Sequence, residues 1–264
     1  MRPSSCQQPS RWLATLFLAV SAATLGACQD KSASLDSTDS MTTASTAPAS
    51  FKATAQLGKT WDADPTNITA GIAYANGLES IGQTAQQLQV LKTLIQHHPG
   101  NPKLNTFYGK KLIGAGRTGE AVPLLEAVAA SGPADWRVHS ALGSAYDQQA
   151  EHDKAREQYQ KALALSPRQL PVLNNLGMSY AIQGDLKQAE ATLREAVLLP
   201  GAKAEPRLRQ NLALVVGLQG RFEEAGKIAS EDLPPAEVDA NMAFLKKMLA
   251  QPNTWQQLQG ETQG

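Results

Sequence analysis

Residues Trp136–Gln169 read WRVHSALGSAYDQQAEHDKAREQYQKALALSPRQ, and this stretch decides the fold. Its landmarks return up and down the chain at a spacing of 34 residues: Pro99, Pro133 and Pro167; Gly109, Gly143 and Gly177; Ala121, Ala155 and Ala189; Leu125, Tyr159 and Leu193. A period of this length marks one helix-turn-helix unit repeated along a solenoid, in which each unit buries its apolar face against the next. Such an array binds other proteins more often than it performs chemistry.

Within the quoted stretch, Leu142, Gly143, Tyr146, Ala155, Tyr159, Ala162 and Pro167 fall at the spacing W-x2-L-G-x2-Y, Ala, aromatic, Ala, Pro. This unit resembles the tetratricopeptide (TPR) family. The resemblance implies an all-α fold, an α-solenoid of TPR helix pairs. Small residues Gly143 and Ala155 let the two helices cross closely, and Tyr146 and Tyr159 fill the space beside them. Pro167 ends the second helix, because the residue before a proline is pushed out of helical geometry.

The neighbours follow suit. Residues 170–205 carry Leu176, Gly177, Tyr180, Ala189, Leu193 and Ala196, with Gly184 turning the hairpin and Asp185 placed to cap its second helix. Residues 102–135 keep Tyr108, Gly109, Leu112, Gly116, Ala121 and Leu125, while 68–101 form a degenerate first unit with Tyr74, Ala75, Leu78, Gly82, Leu91 and Leu94. A partial fifth unit, 206–233, has Leu212, Ala213, Val216, Gly220 and Ala225. Leu212 follows Leu176 by 36 residues, a two-residue insertion that a connecting loop tolerates cheaply. Pro234-Pro235 then breaks the chain, and 234–264 are expected to hold a capping helix and tail, with Val238, Met242, Leu245 and Leu249 along one face and Lys246 and Lys247 on the solvent side.

The N-terminus reads differently. Residues 1–27 have Arg2 and Arg11, an apolar run from Trp12 to Ala23, and then Leu25-Gly26-Ala27-Cys28. That run is too short for a bilayer span, and the plan is that of an export signal. The Leu25–Cys28 stretch resembles a bacterial lipobox, which implies cleavage before Cys28 and acylation of its sulfur; cleavage by the ordinary signal peptidase after Ala23 is the alternative. Gln29 in place of Asp implies sorting to the outer membrane, facing the periplasm. Residues 28–56 are rich in Ser, Thr and Ala and are read as a flexible tether with a reach of roughly 30 Å, and 57–67 as a lead-in. Gly58-Lys59-Thr60 resembles the end of a phosphate-binding loop, but the first glycine and the preceding strand are missing.

Composition excludes several function classes. Without residues 1–27, 22 basic residues face 24 acidic ones, which gives no electrostatic reason for nucleic-acid binding. Cys6 and Cys28 are the only cysteines, so the repeats can hold no disulfide. Of the four histidines, His97 and His98 close a helix before Pro99, His139 replaces the family's tryptophan as a packing residue, and His152 lies in a hairpin turn, expected exposed. None is in a zinc-protease spacing, and no nucleophile elbow occurs. Glu190 and Glu195 read as charges on solvated helix faces. No enzyme activity, metal or cofactor is expected.

A partner would lie on the inner wall, which the first helix of each unit lines. Helical spacing and the family resemblance place there Asn76 and Glu79; Lys103, Thr106 and Lys110; Arg137, Ser144 and Asp147; Asn174, Met178 and Ala181; and Arg207, Gln210 and Leu214. The lysine and asparagine clamp by which some TPR domains hold a terminal carboxylate is absent, since Ser140, Asn174 and Gln210 stand at the matching places.

A second resemblance is narrower. Asn174–Tyr180, Arg209–Val215, Gly217–Phe222, Asp232–Pro235, Asn241 and Trp255 are similar to the lipoproteins of Flp pilus (tight adherence) assembly, of the TadD type. It implies a non-enzymatic outer-membrane assembly factor that assists a secretin or other pilus-assembly components. A pilotin for a type IV pilus secretin, or another periplasmic scaffold, is the alternative.

Overall fold

Asn67, Asn101 and Asp135, each 34 residues apart, open three successive units as side-chain caps, the first two on the third residue of their helix and Asp135 on the second. Their side-chain oxygens accept backbone N–H groups from Ala70, Leu104 and Arg137 at 2.9–3.0 Å, satisfying donors that a helix start leaves unpaired. Asp185 caps a fourth helix in the same way, accepting from the Gln188 N–H at 3.1 Å.

The computed structural model describes residues 51–131 and 135–250. Cys28, the export signal, Pro133 and Trp255 lie outside the described residues. Among the described residues every regular element is helical: α1 (Phe51–Ala63), then the pairs α2 (Ile68–Ser80) with α3 (Thr84–His97), α4 (Pro102–Gly114) with α5 (Thr118–Ser131), α6 (Trp136–Gln148) with α7 (His152–Leu165), α8 (Leu170–Ile182) with α9 (Leu186–Val197), and α10 (Pro206–Leu218) with α11 (Phe222–Ala229), and finally α12 (Pro235–Leu249). Each helix packs on the next, and first helices also touch their counterparts, α4 on α6, α6 on α8, α8 on α10 and α10 on α12. The fold is an α-solenoid, with the first helices on the inside of the curl.

One seat repeats through the core. Leu125, Tyr159 and Leu193, all at most 1% exposed, lie against Gly109, Gly143 and Gly177 of the partner helix. A Cβ at Gly143 would meet the Tyr159 ring at 2.5 Å, and one at Gly109 or Gly177 would meet the opposing leucine at 2.7 Å. The helices therefore approach to a distance that only glycine allows, and each buried side chain contributes roughly 1.5–3 kcal/mol of burial.

The hairpin turns repeat too. Gly82, Gly116, Gly184 and Gly220 all have φ between 73° and 92°, the left-handed region glycine enters without strain. In the quoted unit the corresponding residue is Ala150, held at φ 61°.

Two expectations for the N-terminal side are corrected. Residues 51–56, assigned to the tether, and 57–63 of the lead-in form one helix, α1. Trp61 is 6% exposed and fills the space over Gly71, the Thr54 hydroxyl donates to the Gly77 carbonyl at 3.2 Å, and Gly58 lies against the Tyr74 ring. Trp61 supplies apolar area that the rest of this Ser/Thr/Ala-rich sequence lacks, and so holds α1 against α2. Gly58-Lys59-Thr60 sits within α1 and forms no phosphate loop.

Candidate partner-binding wall

The first helices carry a polar ladder from unit to unit. Asp147 Oδ2 on α6 accepts the Tyr159 hydroxyl at 3.0 Å, and its Oδ1 accepts the hydroxyl of fully buried Ser179 on α8 at 2.7 Å. His152 Nδ1 lies 2.9 Å from the same Oδ1. Asn175 on α8 donates to the Ser144 hydroxyl at 3.3 Å, and Asn211 on α10 donates to Asn174 Oδ1 at 2.7 Å. At the other end Lys111 Nζ on α4 meets Glu79 Oε2 on α2 at 2.6 Å.

This ladder corrects part of the expected wall. Ser144, Asp147 and Asn174 do lie on first helices, but their polar atoms bind the neighbouring unit. Thr106 is 7% exposed, with its hydroxyl on the Pro102 carbonyl at 2.7 Å. His152 is not exposed: its side chain is 16% accessible and held by Asp147. In every case a short polar side chain next to the helix seam finds a buried partner before it can reach solvent.

The remaining wall residues are accessible. Asn76, Lys103, Lys110, Arg137, Arg207 and Gln210 are exposed, and Met178 and Leu214 half-buried. Lys110 has its proton held more weakly than usual, first by partial desolvation against the wall and then by the Arg137 charge, so these two cations are neighbours. Arg137 also stacks over Trp136, 4.8 Å from the ring centroid, and lies 3.6 Å from Asp135.

Away from the wall, the charges serve packing. Glu190, expected on a solvated face, has a side chain only 14% exposed and joins α9 to α10 and α11 through Arg194, Gln219 and Arg221. Burial pushes its carboxyl up, but those hydrogen bonds outweigh burial and leave it below the ordinary value. Glu195 is exposed. His139 Nδ1 bridges to Gln158 Oε1 at 2.8 Å between α6 and α7, and His98 Nε2 lies 2.6 Å from the Thr66 carbonyl. His97 is exposed in the last turn of α3.

The two-residue insertion before α10 is also held in place. Arg209 on α10 donates to the carbonyls of Ala202 at 2.9 Å and Lys203 at 3.1 Å and forms a two-point ion pair with Asp232 after α11. Nothing in the sequence spacing of Arg209 and Asp232 announces the pair.

Models of the tetratricopeptide repeat match residues 109–169 and 170–202. The chain carries tetratricopeptide repeats. Solved TPR structures share the fold: a protein from Parabacteroides merdae ATCC 43184 (TM-score 0.62, 14% identity, 74% of this chain and 77% of that one) and a thermophilic protein from Thermus thermophilus (TM-score 0.56, 19% identity, 70% and 99%). PilW, described as a widely conserved type IV pilus biogenesis factor, is similar at TM-score 0.59 and 18% identity over 75% of this chain and 90% of its own. No curated protein matches the sequence. TPR arrays bind proteins.

Proposed function

We propose that this TPR chain is a non-enzymatic, lipid-anchored scaffold for Flp (tight adherence) pilus assembly, holding a secretin or another assembly component on its inner wall. The observation that carries the scaffold is the wall itself: five stacked helix pairs whose first helices leave Lys103, Lys110, Arg137, Arg207 and Gln210 accessible. The pilus assignment rests on the resemblance of about residues 75–258 to the TadD-type lipoproteins, most specific from Asn174 to Pro235 and at Asn241 and Trp255; within it Arg209 and Asp232 pair. Acylation of Cys28 would place the array at the periplasmic face of the outer membrane. A tether of about twenty residues before α1 then raises the local concentration of the wall, to around millimolar for a short flexible link, so that a weak contact suffices.

The test is deletion of the coding region and complementation with the wild type and with Cys28→Ala. The expected result is loss of surface Flp pili, of adherence and of secretin multimers, restored fully only by the acylated form. Normal levels of all three in the deletion strain overturn the assignment. A pilotin for a type IV pilus secretin is the second reading, favoured by the likeness of fold to PilW. It predicts that type IV pili, and not Flp pili, are lost in the same strain.

A further inference from the structure

The seam between first helices defines a register. Lys111 meets Glu79 at 2.6 Å and Ser179 meets Asp147 at 2.7 Å, in both cases 32 residues back. Leu245 on α12 takes the same seat, since a Cβ at Gly217 would lie 2.7 Å from its Cδ1. The residue before each seam residue is turned about 100° round the helix, off the seam and onto the inner wall. Through the array that row runs Lys110, Ser144, Met178, Leu214 and Phe244.

Its character changes along the solenoid. In the first half it begins at Lys110, exposed on α4 together with Lys103. From α8 onward the row is apolar, and the residue one turn further on each helix extends it: Met178 with Ile182, Leu214 with Leu218, Phe244 with Met248. Phe244 is 57% exposed and Ile182 47%; the other large apolar side chains this open among the described residues, Phe51, Leu165 and Leu198, stand singly on other helices or helix ends. Large apolar groups gathered on one accessible face mark an interaction surface, and aromatic and methionine side chains are the usual anchors of one.

We infer that the wall from α4 to α12 is the docking site for an amphipathic segment of a partner protein, with large apolar anchors at one end and acidic residues at the other. The apolar row fixes the anchors over α8, α10 and α12. Charge complementarity with the exposed Lys103 and Lys110 fixes the polarity, placing the acidic end over α4. The inference rests on the proposal that the inner wall is the binding surface, and it names the chemistry of what binds there.

The experiment is photocrosslinking in cells with the full-length protein, replacing Phe244, Leu214 or, as an outer-face control, exposed Glu157 by p-benzoylphenylalanine, and sequencing the adducts. The expected adduct from positions 244 and 214 is one peptide with several large apolar residues next to a run of Asp and Glu, absent from position 157. Lys110→Glu should lower its yield about five- to tenfold, the size of one lost charge pair of about 1–1.4 kcal/mol, and Ile182→Asp should abolish it. Adducts to residues 251–264 of the same chain, to a second copy, or to a segment without acidic residues overturn the inference, as does no adduct from either wall position. The pilus assignment is tested separately by the identity of the adduct. An acidic, apolar-anchored segment from a protein unrelated to pili keeps the docking site and removes the pilus role. A pilus component captured without that chemistry does the reverse.

Discussion

Ser179, fully buried in α8, donates its hydroxyl to Asp147 of α6 across 2.7 Å, so one carboxylate joins two repeats 32 residues apart. Tyr159 and His152 share that carboxylate, and its side chain is only 13% accessible. Ser179→Ala removes one donor and leaves the carboxylate with others, so it should cost about 1 kcal/mol in urea unfolding. Asp147→Ala leaves the buried Ser179 hydroxyl without its acceptor and the Tyr159 phenol with Ser144 alone, and should cost about 2–4 kcal/mol. Equal losses for the two variants would contradict this hierarchy.

Ala150 stands at a turn where the other four hairpins have glycine, at φ 61°. An L-residue held left-handed costs roughly 1–2 kcal/mol, and glycine gives part of that back as unfolded-state entropy. Ala150→Gly is therefore expected to stabilise the array by up to about 1 kcal/mol, read as a rise in Tm. A fall in Tm would mean the turn is not strained.

Glycines of the seam should respond in the opposite sense. Gly143→Ala drives a methyl to 2.5 Å from the Tyr159 ring, which hydrogen bonds to Asp147 and Ser144 hold in place. The expected cost is about 1–3 kcal/mol. Gly114→Ala, in a helix and with no atom within 4 Å of the new Cβ, is the control and should be neutral or stabilising by up to about 1 kcal/mol. Chemical denaturation of both variants makes the comparison.

Alkaline pH should weaken the repeats through their tyrosines. Burial, then the hydrogen bond to Glu126, pushes the Tyr146 phenol up to about 12. Burial, then the Asp147 charge, pushes Tyr159 up as well. A group whose pKa is higher folded than unfolded keeps its full contribution below the unfolded value, near 10 for tyrosine, and loses it as pH rises through the folded one. Tm should stay level from pH 7 to about 9.5 and fall from about pH 10 upward. A profile level to pH 12 would contradict the burial of both phenols.

Arg209 ties the connecting loop of residues 200–205 to α10 and to Asp232. Arg209→Lys keeps the charge but cannot make the forked contacts, so amide exchange in that loop should quicken several-fold while the 136–169 unit is unchanged. Uniform exchange across both regions would show that Arg209 has no local role.

Much was legible because repetition amplifies weak signals. A lone Gly143 or Ala155 carries little, but the same residue every 34 positions fixes the period, the helix pair and the stacking. The cap series Asn67, Asn101 and Asp135 recurs in the same period and was equally legible, though only the Asp185 cap was expected. The helix from Phe51 was not legible, because one tryptophan anchors it and that anchor acts through Gly71 of another helix.

The sequence alone determined an all-α array of helix pairs, because helix periodicity, turn residues and glycine seats are local properties that recur. Only the tertiary structure decided which wall residues remain open to a partner. Asp147 and Asn174 lie on first helices, as Lys110, Met178 and Leu214 do, yet a rotation of about 100° per residue decides whether a side chain meets the next repeat or the solvent. That choice depends on what the neighbouring helix places opposite, Ser179 for Asp147 and Asn211 for Asn174, and the partners are separated by 32 and 37 residues.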